Sequence, residues 1–267
     1  MMRFPSQWKF TKWVKIQRRK KLFNVINIIK TSYNKRDCLK RIEDISKRTI
    51  TTIERRTRGQ SEEDDWFFYR QGLITGTTVH NIHHAVKKNK KSENVNKSIS
   101  KLTSPTLYYP AIVWGRTHEE IGVQAFINSM KNKHKNLIVK RMGLKIDENC
   151  HYIGASVDGV VECSCCYEPS ILEVKSPYSL RDTTIAEEGH KLQYLDEDMN
   201  LKKTHPYYFQ LQTYLAVYKL KMGYFCIYTP QDIYTLEIQF DESFWTQLKA
   251  DLSIYYERDY LKTFFYN

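Results

Sequence analysis

The sequence predicts an α/β protein whose mixed β-sheet is flanked by helices and preceded by a basic helical segment. Three observations predict this. A long helical pattern is followed by three short β-rich runs, then a helix and two more strands, an order that belongs to the α/β class. The three runs lie close enough to pair as an antiparallel meander, so the sheet is mixed rather than purely parallel. Charge is unevenly spread: 42 Lys+Arg and 30 Asp+Glu give +12 over 267 residues, but residues 1–60 hold 18 and 4 of them, leaving 24 and 26 for the rest. The chain therefore divides into a basic helical extension, residues 1–58, and a folded domain, residues 59–267.

The elements follow in order. Arg18, Arg19, Lys20 and Lys21 form a basic run suited to phosphate neutralisation or to a nuclear or mitochondrial address. Leu39, Ile42, Ile45, Thr49 and Ile53 recur at steps of three and four, which predicts one amphipathic helix over 38–54. Ser61 with Asp64 three residues on starts a short helix ahead of Trp66, Phe67 and Phe68. Thr77 caps the next, with Val79, Ile82 and Val86 on one face, and the basic stretch Lys87 to Lys97 reads as a loop. Pro110 opens a long helix to Met130. Strands are expected over Leu137 to Ile146, Tyr152 to Val161 and Ser170 to Val174. Pro206 and Gly223 bracket a further helix. Tyr224 to Tyr228 and Ile233 to Phe240 pair across Thr229-Pro230-Gln231-Asp232, and Phe244, Leu248, Leu252 and Tyr255 line a closing helix.

No run approaches the roughly 18 apolar residues of a membrane helix. Six cysteines, three of them clustered at 163–166, with no secretory leader argue for reduced thiols and an intracellular, reducing compartment. Between nucleus and mitochondrion the nucleus is the expectation.

The chemistry concentrates in Gly154-Ala155-Ser156-Val157-Asp158-Gly159 and Glu173-Val174-Lys175-Ser176-Pro177. Side chains alternate along a strand, so Glu173 and Lys175 share a face while Val174 points away, and Asp158 reaches that face from the neighbouring strand. Carboxylates so gathered suit Mg²⁺, and the lysine can orient or deprotonate an attacking water. Taken alone, E-x-K is weak, because alternating charges are common on solvated strands. Three further features strengthen it. Glu119 on the long helix supplies a third carboxylate. Gln210 and Tyr214 lie at i and i+4 on one helix face, with Gln212 about 200 degrees round from Gln210. Arg70, Thr75 and Thr77, beside amides at a helix start, form a phosphate cradle.

The ordered set W-x(3)-R-x-G-x-I-T-G-T, W-G-x(3)-E, G-A-S-x-D-G, E-V-K-x-P and Y-Y-x-Q-x-Q resembles the phage-lambda-type exonucleases and YqaJ-like viral recombinase domains of the PD-(D/E)xK superfamily. The resemblance spans about residues 55 to 255. It implies a restriction-endonuclease-like core and a metal-dependent DNA nuclease, a 5′-to-3′ exonuclease on duplex ends in recombination, repair or replication. An endonuclease, an inactive DNA-binding module and an RNA-directed enzyme are the alternatives. By position, the resemblance implies Asp158, Glu173 and the Val174 carbonyl as ligands of one or two Mg²⁺ or Mn²⁺ ions, with Glu119 supporting them. Lys175 and Gln210 would be catalytic, and Arg70 and Thr77 would hold the 5′ phosphate. The implied partners are DNA ends, with a homo-oligomer and a single-strand-annealing protein left open. The family's proline before the aspartate is Val157 here and its cysteine after the lysine is Ser176; neither is a required ligand.

Cys163, Cys165 and Cys166 fall between the two halves of the acidic motif. Zinc would need a fourth ligand, Cys150 or His151, and C-x-C-C lacks the paired C-x(2)-C spacing, so free thiols at a hairpin tip are expected. His80, His83 and His84 share a helix without the glutamate of a zinc motif and are expected to face solvent or DNA.

Overall fold

In the computed structural model, residues 24–89, 93–100 and 109–265 are described. The basic run Arg18 to Lys21 lies outside them. Three helices come first: α1 (Val25–Thr31), α2 (Lys35–Glu43) and α3 (Lys47–Arg56). The single helix expected over 38–54 is thus two. Asp44 ends α2, and the Ser46 hydroxyl accepts from the Thr49 amide at 3.2 Å to start α3 afresh; a serine that bonds its own backbone favours a cap over a helix interior. Helix α4 (Asp64–Arg70) begins at Glu63, and Ser61 lies in the preceding 3₁₀ turn, so the expected capping box does not form.

Strand β1 (Ile74–Thr75) leads into α5 (Val79–Lys87), whose N-cap position is Thr78, not Thr77. The Lys87 to Lys97 stretch is not all loop: α6 (Glu93–Ser100) follows, held by buried Val95 and Ile99. Helix α7 (Pro110–Met130) matches its expected bounds, with Pro110 in the first turn.

The expected three-strand meander separates into five strands in two sheets. Strands β2 (Ile138–Lys140), β5 (Gly159–Glu162) and β6 (Ser170–Lys175) form the antiparallel part of a larger sheet ordered β2-β5-β6-β7-β8. The intervening β3 (Lys145–Ile146) and β4 (Ile153–Ala155) turn aside and join β1. The diversion has a local cause. The Gly143 amide donates to Glu54 Oε1 at 3.0 Å and the Leu144 amide to Thr57 Oγ1 at 2.7 Å, so the end of α3 captures this backbone. A Cβ on Gly143 would sit 1.9 Å from the Glu54 carbonyl oxygen, so only glycine permits the approach.

A short helix α8 (Ile185–Glu188) and then α9 (Pro206–Tyr218) carry the chain across to β7 (Met222–Tyr228), parallel to β6, and β8 (Ile233–Gln239) returns antiparallel. Helix α9 stops because Lys219 takes a left-handed conformation at φ 58. Gly223, expected as the stop, instead lies in β7, where a Cβ would meet Ile171 Cγ1 at 2.4 Å. Helix α10 (Glu242–Tyr255) starts on Asp241, which accepts from the Phe244 amide at 3.0 Å. A π-turn over Tyr256–Tyr260 and α11 (Lys262–Phe265) complete the described chain.

Alternation in β6 and β7 assigns the two layers. Ile171, Phe225 and Ile227 join the main apolar cluster with α9 and α10, and α1 to α3 feed the same cluster. Leu172, Val174, Tyr224 and Cys226 pack on the other face against Val123, Phe126 and Met130 of α7. Val174 and Gly122 meet so closely that a Cβ on the glycine would lie 2.6 Å from Val174 Cγ1. This contact seats α7 across the strand that bears the acidic motif. Among the described residues, no helix is long and apolar enough to cross a membrane.

Candidate active site

Strand β6 delivers Glu173 and Lys175 to the α9 side of the sheet, as its alternation requires, and the Lys175 ammonium donates to Glu173 Oε1. Glu173 is 2% exposed. Its Oε1 also accepts from Gln210 Nε2 at 2.8 Å, while Oε2 is buried without a hydrogen-bond partner. An unpartnered carboxylate oxygen in the interior is expensive, and its donor chemistry fits a cation. Asp158, in the turn before β5, accepts from the Val174 amide at 2.7 Å. That bond anchors it one residue from Glu173 in the ladder.

Burial raises all three acids. Burial, then the nearby Asp158 charge, push Glu173 up to about 8. The same two causes push Glu119 of α7 up to about 7. Burial also raises Asp158, against the pull of Lys175 and the Val174 amide. For Lys175, burial disfavours the ammonium, but Glu173 and Asp158 outweigh it and raise its pKa. Its Nζ lies 4.9 Å from the Tyr207 ring centroid, a further stabilisation of positive charge. Lys175 is thus a fixed cation among acids.

Helix α9 supplies the next layer. Gln210 Nε2 donates to the Tyr214 hydroxyl at 2.7 Å as well as to Glu173, as the i and i+4 spacing predicts. Gln212 is not brought here. It is fully buried on the far side of the helix, where Nε2 donates to the Gln239 carbonyl at 2.9 Å and Oε1 accepts from the Asp241 amide at 2.8 Å. It pins α9 to β8 and to the start of α10.

The cradle residues do assemble. Arg70 Nη2 donates to Thr75 Oγ1 at 3.2 Å, and Thr75 and Thr77 hydroxyls lie 3.2 Å apart. The guanidinium stacks 4.0 Å over the Trp66 ring, and burial lowers its pKa to about 10. Arg70, Thr75, Thr77, Thr78, Asn81 and Ser98 line one cavity of about 310 Å³. Such a pocket of hydroxyls, an amide and a held guanidinium suits a phosphate. The three α5 histidines do not line it and are engaged: His83 bonds Asp251 at 2.8 Å, and His80 and His84 face each other at 3.0 Å.

Two residues that the sequence motif contains but to which it gives no role, Gly76 and Trp66, join cradle and acids. A Cβ on Gly76 would lie 2.6 Å from Tyr214 Cε1 and 3.0 Å from Gln210 Cγ, so Gly76 lets the cradle rest on the face that holds Glu173. Trp66 Nε1 donates to Ser156 Oγ at 2.9 Å, tying the cradle to the turn before Asp158. The W-x(3)-R spacing was the available signal for Trp66, since i and i+4 place ring and guanidinium together.

Known proteins resemble the chain in sequence and in fold. Residues 65–221 match the YqaJ-like viral recombinase domain. A 122-residue stretch is 29% identical to the alkaline nuclease of human herpesvirus 7 (strain JI), covering 44% of this chain and 23% of that protein. The chain therefore spans less than a quarter of that relative. Among solved structures, the alkaline exonuclease of Laribacter hongkongensis aligns with TM-score 0.54 and 17% identity over 75% of this chain and 93% of that one. It has also been solved with dAMP. The shutoff and exonuclease protein of Kaposi's sarcoma-associated herpesvirus aligns with TM-score 0.56 and 10% identity over 81% and 73%. That protein has been solved with DNA and with RNA. At these identities the structural likeness establishes the fold, which is that of the alkaline exonucleases.

Proposed function

The chain belongs to the YqaJ-like viral recombinase domain family, and from that premise we propose that it is a metal-dependent DNA nuclease. We read it as a 5′-to-3′ exonuclease that starts from phosphorylated duplex ends in recombination, repair or replication. The observation that carries this reading is the contact through Gly76, which sets a terminal-phosphate pocket against the acid and lysine cluster. An end held by Arg70, Thr75 and Thr77 would present the adjoining backbone to Asp158, Glu173 and Lys175.

Asp158 and Glu173, with the Val174 carbonyl and support from Glu119, would hold one or two Mg²⁺ or Mn²⁺ ions, whose chemistry is to activate water and neutralise charge on the departing oxygen. The chain's own groups do the rest. The Lys175 ammonium, fixed by Glu173 and Tyr207, positions the attacking water and stabilises negative charge on the phosphoryl oxygens. Gln210 orients Glu173 through Oε1 and is itself fixed by Tyr214. Arg70 sets which phosphodiester lies at the acids. The basic residues 1–58 act as a separate device, a DNA grip or a nuclear address. A homo-oligomer or an annealing partner would complete the resection role.

The test is a time course on end-labelled linear duplex with and without a 5′ phosphate, beside a closed circle, in Mg²⁺ and in EDTA. The expected outcome is cleavage of the phosphorylated linear duplex alone, in Mg²⁺ alone, with Asp158→Ala inactive but still binding DNA. Cutting of the circle would make it an endonuclease, and undiminished hydrolysis by Asp158→Ala would end the assignment. A second reading, an RNA substrate, draws on the relative solved with RNA; a single-stranded RNA arm in the same assay decides it.

A further inference from the structure

We propose that His134, Cys163, Cys165 and Cys166 form a structural zinc site that staples the loop after α7 to the tip of the β5–β6 hairpin. The expected free thiols converge on one point: the ligand atoms of these four residues all lie within 4.8 Å of one another, the one such His/Cys/Asp/Glu group among the described residues. The fourth member is His134, not Cys150 or His151. Cys150 is buried elsewhere, and His151 Nδ1 lies 2.9 Å from the Ile42 carbonyl.

The spacing is that of a tetrahedral ion. With Zn–S near 2.3 Å and Zn–N near 2.05 Å, tetrahedral angles put sulfurs about 3.8 Å apart and each sulfur about 3.6 Å from the nitrogen. Here His134 Nδ1 lies 3.4, 3.7 and 3.3 Å from the sulfurs of Cys163, Cys165 and Cys166, and Cys163 and Cys165 Sγ are 3.4 Å apart. One ring nitrogen offers a single proton or a single lone pair. Three sulfurs gathered around it are therefore not explained by hydrogen bonding, whereas a shared cation satisfies all four.

The surroundings are those of a ligand set. His134 Nε2 lies 3.3 Å from the Tyr224 hydroxyl, which fixes the ring and leaves Nδ1 for the ion. The Lys135 amide donates to Cys165 Sγ at 3.2 Å, and the Ser164 amide donates to the Lys135 carbonyl at 2.9 Å. Three thiolates and a dication leave one negative charge, and Lys131, Lys133 and Lys135 are exposed on the adjoining segment. Four protein ligands close the coordination sphere, so the site is structural rather than catalytic. Its effect reaches the acids. The hairpin whose tip it holds bears Asp158 and Glu173 at its base, and the loop on its other side continues α7, which bears Glu119.

The test uses the full chain purified under reducing conditions, with metal content measured by mass spectrometry and cobalt exchanged for zinc. About one zinc per chain is expected, with intense thiolate-to-cobalt absorption in the cobalt form. Asp158→Ala should keep both signals. Cys163→Ser and His134→Gln should lose them while near-ultraviolet circular dichroism stays folded, and Tyr224→Phe should weaken zinc affinity about 10-fold. Chelation should lower the melting temperature of the parent and leave that of Cys163→Ser unmoved. Zinc below about a tenth per chain, equal zinc in Cys163→Ser, or a disulfide among these cysteines in the reduced protein would overturn the proposal.

Discussion

Replacing Glu173 with glutamine keeps the shape of the side chain and removes its charge, and it should change how stability depends on pH. Burial and Asp158 hold Glu173 at about 8 in the folded chain, against 4.5 as its ordinary value. Between those two values the folded protein keeps a proton that the unfolded chain has released, so stability falls as pH rises. Below 4.5 both states are protonated and the contribution is whole; above about 8 it is gone. The span corresponds to at most about 5 kcal/mol. Part of it arises from repulsion by Asp158 and is relieved if that residue takes the proton instead, so the contribution lies below that bound. Urea unfolding in EDTA at pH 5.5, 7 and 8.5 reads the effect. Because the series starts a unit above 4.5, the parent should lose at most about 3 kcal/mol across it, and Glu173→Gln should lose correspondingly less. Glu119, pushed up to about 7, keeps some slope in both. Mg²⁺ should restore the parent at pH 8.5 and do little for the variant. Parallel curves for the two proteins would refute the electrostatic account of the site.

Two further substitutions probe the join between cradle and acids. Arg70→Ala removes charge-assisted bonds worth about 1.5 to 3 kcal/mol each, so the rate advantage of a 5′-phosphorylated over an unphosphorylated duplex should fall by 10-fold or more. An unchanged ratio would place end recognition elsewhere. Gly76→Ala forces a Cβ to 2.6 Å from Tyr214 Cε1, an overpacking that costs about 1 to 3 kcal/mol. It should displace Gln210 and depress kcat while DNA-end binding, read by fluorescence anisotropy, persists; full kcat would show that the cradle and the acids work independently.

The sequence made the acidic motif legible because strand alternation is a local rule: Glu173 and Lys175 had to share a face whatever the rest of the chain did. The i and i+4 pair of Gln210 and Tyr214 was legible for the same reason. Elements defined by partners far along the chain were not. The run Leu137 to Ile146 opens on strand-forming residues, yet Glu54 and Thr57 divert its middle; Gly143 marks the place, but nothing local names the partner that takes its backbone. The break between α2 and α3 was available in Ser46, but the apolar periodicity of Ile42, Ile45 and Ile53 continues across it and masks the cap. His134 was missed as a zinc candidate because 29 residues separate it from Cys163, and only the fold of α7 against the hairpin makes them neighbours.

The Tyr256 hydroxyl donates to the Gly72 carbonyl at 2.9 Å, a buried bond between residues 184 apart. It supports the turn that leads from Arg70 into β1, beneath the phosphate pocket. During synthesis Gly72 leaves the ribosome long before Tyr256 has been added, and for that interval the bond cannot form. The turn beside the Arg70 pocket is therefore closed by a residue made 184 positions after Gly72, when Asp158 and Glu173 have already been synthesised, so that the acids precede the completed support of the pocket.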